Sequence, residues 1–166
     1  MAKKTVTITL AISELLYDVR NKAFLTGRSR QTGNNHEQVA HMQASDDDDD
    51  QNQILRSIGN AFGTLKTKLS EYIEEKGTSA NNVQIESTKN LTVTLQMPSN
   101  YNESTAQTIA DDMHKYIVYT AVGDWFAITN KDDAKDYIEA ASVAVDELRE
   151  ALNKRVRPVR TDPALS

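Results

Sequence analysis

Apolar residues alternate with threonine from Thr5 to Leu10, so Val6, Ile8 and Leu10 share one face of a predicted strand. The period then changes. Ile12, Leu15, Leu16, Val19 and Ala23 recur at three- and four-residue spacing, which predicts a helix over Ser13 to Leu25 with Gly27 as its stop. Residues 26–53 lose all periodicity and predict a long polar loop with one helical turn near Glu37 to Met42. The stripe Ile54, Ile58, Ala61, Phe62, Leu65, Leu69, Tyr72 and Ile73 restores helical spacing and ends at Gly77. Gly59 and Gly63 on that helix predict close packing of a neighbour, since each costs about 1 kcal/mol relative to alanine.

Val83 and Ile85, then Leu91, Val93, Leu95 and Met97, alternate on either side of Ser-Thr-Lys-Asn and predict a β-hairpin. A long helix follows from residue 104 to 128, capped by Glu103 or Ser104, with Ile109, Met113, Tyr116, Ile117, Trp125 and Phe126 on its apolar face. The last helix repeats Ala134, Ile138, Ala141, Val145, Leu148 and Leu152 in a heptad-like seam suited to antiparallel packing on its predecessor. Ala140, Ala141 and Ala144 would allow close approach. These elements make a mainly helical α+β domain: about four helices with a small antiparallel sheet. It is read as one globular domain over 1–153 followed by an extended arm over 154–166.

At 166 residues the chain can bury a core without staples, and it has no cysteine to form a disulfide. Its net charge of −5 argues against wholesale binding to nucleic acid. The N-terminal residues hold no apolar run of signal-peptide length, which predicts a protein made and kept in the cytoplasm or assembled there into something larger.

Chemistry is poorly represented. The run Asp46 to Asp50 misses the calcium-loop spacing, and its adjacent carboxylates suit the start of the following helix, where they offset the helix dipole. His36 and His41 lack the HExxH arrangement, and His114 stands three residues after Asp111 as an ordinary surface pair would. No nucleophile elbow or glycine-rich phosphate loop occurs, so no catalytic, cofactor or metal residue is assigned and no enzyme is expected. Asp124, His114 and Tyr119 are the one loose grouping an enzyme could use.

Basic residues point instead to a partner. Lys154, Arg155, Arg157 and Arg160 crowd the end of the last helix, where Pro158 stops it, and suit an arm that docks on an acidic surface. Arg28 and Arg30 in the polar loop, and Trp125 with Phe126 as either an anchor or a core plug, are further candidate interface residues.

The order of acidic start, helix Ile54 to Ile73, short hairpin, and helix pair carrying His114-Lys-Tyr-Ile-Val-Tyr-Thr-Ala-Val-Gly-Asp-Trp-Phe126 before a charged arm resembles the head-tail connector (adaptor, neck) proteins of tailed bacteriophages over residues 46–160. That resemblance implies a virion structural protein, a homo-oligomeric ring at the portal whose C-terminal arm docks on portal and tail proteins. Genomic DNA would only pass through its lumen. Tail-completion or other neck proteins share the pattern. A small nucleic-acid-binding regulator using Lys154 to Arg160 is the remaining alternative.

Overall fold

The computed structural model describes residues 3–74 and 77–160. Strand β1 spans Lys4–Ala11 and runs directly into α1, Ile12–Ser29. Three more elements, α2 (His36–Met42), α3 (Asp48–Lys68) and β2 (Asn90–Met97), precede a single 3-10 turn at Glu103–Thr105. Helices α4 (Ala106–Thr129) and α5 (Lys131–Leu152) complete the order. The mainly helical α+β class is therefore observed, with five helices and a two-stranded antiparallel sheet.

Helix α4 is the hub. Its buried residues Ile109, Met113, Ile117, Val122 and Phe126 meet the core faces of α1, α3 and α5 and the inner face of β1. From α5, Ala141, Ala144, Val145, Leu148 and Leu152 are buried against it; each large apolar side chain so buried contributes roughly 1.5–3 kcal/mol. Ile138 departs from the predicted seam and is 56% exposed. Its Cγ1 still lies against Gly123 of α4, where an added Cβ would stand 3.3 Å from it, so the missing side chain at Gly123 is what lets the two helices approach there.

Strand pairing differs from the predicted hairpin. β2 pairs with β1 in the register Val6↔Leu95 and Ile8↔Val93. Its other edge takes Tyr72–Glu74, where Gln96 N–H donates to Tyr72 C=O at 2.6 Å and Glu74 N–H to Thr94 C=O at 3.1 Å. With both edges of β2 occupied, Val83 and Ile85 have no strand to join. Val83 is exposed, and Ile85 packs on α3 beside Gly59. The expected close approach at Gly63 is also absent, since a Cβ there would meet open space.

Local start signals explain the remaining boundaries. Asp47 caps α3, accepting from Asp49 N–H at 3.1 Å, and Asp50 accepts from Ser45 N–H and its hydroxyl. Asn102, rather than Glu103 or Ser104, caps the turn before α4. α1 has no side-chain cap because the sheet supplies one: Ile12 N–H donates to Lys89 C=O. α1 also continues past Gly27, which is buried and instead admits Gln43, whose amide donates to Phe24 C=O.

Candidate functional site

A groove of about 780 Å³ runs along α1. α1 turns Ile12, Leu15, Leu16, Val19 and Ala23 into the core, so the stripe beside them, Ser13, Tyr17, Arg20 and Phe24, recurs three to four residues apart on the groove wall. The opposite wall comes from Ala44 to Gln51, ahead of and within α3, and from the turn at Ser87 and Thr88. Tyr17 is 63% and Phe24 46% exposed, although both are large apolar rings. Arg20 lies between them. Its Nη2 donates to Gln51 Oε1 at 2.9 Å and its Nη1 stands 3.7 Å from Asp46 Oδ1, while its buried Nε–H has no partner. A guanidinium held loosely by one exposed carboxylate, between two exposed rings, can accept a planar anion bidentately. Sequence reasoning missed this site. Its signal was Tyr17 and Phe24, seven apart and one step off the core stripe.

Another cleft, of about 410 Å³, lies between α4 and the end of α5. Asp112 is 3% exposed there, and its Oδ2 has no hydrogen-bond partner. Burial pushes its carboxyl above the ordinary value, an effect opposed by Lys115, whose Nζ is 3.7 Å from Asp112 Oδ1 and 3.9 Å from Glu147. Among the described residues no three histidine or acidic side chains are placed to hold a metal ion.

The residues singled out from sequence are scattered. Arg30 binds Asp133 through Nε at 3.1 Å and Nη2 at 2.5 Å; its hydrogen bond holds Asp133 below the usual carboxylate range, and Asn130 adds a further contact. It thus ties α1 to the start of α5. Arg28 is exposed and without a side-chain partner among the described residues. Phe126 is fully buried against Tyr137, and Trp125 donates from Nε1 to Met42 C=O at 2.7 Å, so the pair closes the core and pins α2.

His114 is paired with Asp18 of α1 at 2.5 Å, not with Asp111. Tyr119 packs on Tyr137, and burial pushes the Asp124 carboxyl up against an opposing influence from Ser57 on α3. Five residues apart on one helix, the three point in different directions and do not converge.

The basic C-terminal stretch begins as part of the body. Asn102 N–H donates to Lys154 C=O, Val156 N–H to Asn100 C=O, and Tyr101 bridges Arg155. Lys154 pairs with Glu150 at 3.1 Å, and Arg155 donates to the Leu152 and Lys154 carbonyls. Arg157 and Arg160 are exposed without partners among the described residues; the rest of the expected arm, 161–166, lies outside them.

The described residues form a small α+β domain with a concave groove edged by exposed aromatic rings. The family described as Lpp-LpqN, "Probable lipoprotein LpqN", matches residues 65–150, from the last turns of α3 through β2 and α4 to the end of α5. The chain belongs to that family. No curated protein and no solved structure matched. The family match overturns the resemblance to phage head-tail connectors, and with it the connector function, the virion structural role and the virion location drawn from that resemblance. The misleading features were an acidic helix start and an antiparallel helix pair, here ordinary capping and core packing.

Proposed function

We propose that the chain works by binding, as the folded domain of a cell-envelope protein of this lipoprotein family, and that the α1 groove holds its ligand. The supporting observation is Arg20, incompletely satisfied and flanked by exposed Tyr17 and Phe24 in a groove of about 780 Å³, which is within the size range of small-molecule sites. The ligand this chemistry fits has a flat apolar body and one oxyanion, such as a carboxylate or sulfonate, that can take a pair of hydrogen bonds from the guanidinium. The rings cover the body; the guanidinium takes the anion and gives up its loose contact with Asp46. A cell-envelope setting rests on the family description. No described helix is long and apolar enough to cross a membrane.

The test uses anilinonaphthalene sulfonate, an aryl anion whose fluorescence rises on leaving water. Wild-type protein is expected to bind it saturably, and Arg20→Ala to weaken binding by about tenfold, the equivalent of about 1.4 kcal/mol for one lost charge-assisted contact. Far-UV circular dichroism of the variant should be unchanged. Absence of saturable binding, or equal binding by folded Arg20→Ala, would count against the groove.

A further inference from the structure

One edge of the sheet is open, and the phase of its hydrogen bonds shows which groups it offers. Ile12 N–H bonds Lys89 C=O, and the antiparallel ladder keeps that alternation, so residues 4, 6, 8 and 10 bond to β2. Thr5, Thr7 and Thr9 therefore direct their N–H and C=O groups away from it. The same alternation on β2 turns Thr94 and Gln96 toward Tyr72–Glu74, where their bonds are found. Among the described residues nothing bonds the outward groups of Thr5, Thr7 and Thr9. Exposed edges are normally blunted by proline, a bulge or charges. β1 has no proline, its one charge is the terminal Lys4, and it pairs with β2 residue for residue from Lys4 to Ala11 without a bulge.

We propose that this edge pairs with the same edge of a second copy, antiparallel about a two-fold axis through Thr7. The strand is built for that symmetry. Residues 5–9 read Thr-Val-Thr-Ile-Thr, so the axis sets Thr7 opposite Thr7 and Thr5 opposite Thr9 of the second copy, giving about six backbone hydrogen bonds. On the inner face Val6 meets Ile8 of the second copy. On the outer face threonine meets threonine, a favourable cross-strand pair. Lys4 falls opposite Leu10, so the two lysines do not oppose one another. A foreign peptide would need no such near-palindrome, which is why a second copy is the occupant favoured here. The two sheets become one continuous sheet, and half-buried Val6 gains cover.

Sedimentation of the full chain over a concentration range, to about 0.1 mM, reads the pairing. Wild type is expected to move from monomer to dimer. Thr7→Pro removes an outward donor without touching the ladder to β2, and Thr7→Lys sets two like charges opposite each other at the axis; both should remain monomeric at the top concentration with unchanged circular dichroism. If Thr7→Pro disturbs the fold, Thr7→Lys decides. Because the chain has no cysteine, Thr7→Cys adds a marker that a short bismaleimide should cross-link to itself, while Thr9→Cys, four residues out of register with its own copy, should not. A wild type that stays monomeric overturns the pairing, as does a dimer that both Thr7 variants leave intact. A monomer whose Thr7 and Thr9 amides resist hydrogen exchange would assign the edge to the chain's own terminal residues, and also overturns it.

Discussion

Asp112 is the side chain whose position costs the fold most visibly. It is 3% exposed, one oxygen lacks a partner, and burial raises its pKa. A carboxyl with a raised folded pKa is held more tightly by proton in the folded state, so its contribution is favourable below the ordinary aspartate value and is lost as pH rises through the raised one. Asp112→Asn removes that loss. The variant should therefore melt above wild type at neutral pH, and the two should converge below about pH 4, where wild-type Asp112 is protonated in both states. Thermal melts across that range check it. Asp133 titrates in the opposite sense. Its pKa is lowered by the hydrogen bond from Arg30, so its stabilisation is present above the ordinary value and fades as pH falls through the lowered one. Little of this was legible in sequence, because Arg30 and Asp133 stand 103 residues apart and each looks like a solvated loop or helix-start charge. The same holds for His114, whose neighbour one turn back on α4 is Asp111 and whose partner in space is Asp18.

Helices were read well wherever one face repeats at 3.6 residues. α4 and α5 follow their stripes because most of those positions are buried, and α3 does so as far as Leu65, while Leu69, Tyr72 and Ile73, expected on the same helix, lie beyond its end at Lys68; the Asp47 and Asn130 caps mark the starts of α3 and α5. Ends and strand partners were read less well. Alternation says that a segment can be a strand but not which edge receives it: Val83 and Ile85 alternate as clearly as β2 does, yet the chain leaving α3 brings Tyr72–Glu74 to that edge first. Glycine also misled, since Gly27 admits a neighbouring side chain inside α1 and Gly63 has nothing against it. Gly63→Ala is therefore expected to stabilise α3, by about 0.5–1 kcal/mol, through helix propensity and a less flexible unfolded chain. For a chain of this size that is a rise in Tm of roughly 1–4 °C, measurable by calorimetry. A fall in Tm would mean that a neighbour closes on Gly63 in solution.

For the whole molecule, the helical class and the core were legible, and the groove was not. A core declares itself through residues that repeat, whereas a groove forms where distant segments leave a gap. Here those segments are α1, the start of α3 and the turn at Ser87, and no local pattern in the sequence joins them. The family match covers α4, α5 and β2, so it accounts for the scaffold, while most of the groove's lining lies ahead of residue 65. The most direct test of a ligand-holding groove is to titrate isotopically labelled protein with anilinonaphthalene sulfonate and follow backbone amide shifts. Saturable shifts confined to Ser13–Phe24, Ala44–Gln51 and Ser87–Thr88 are the expected result. Shifts centred on the Asp112 and Lys115 cleft, or none at all, would contradict it.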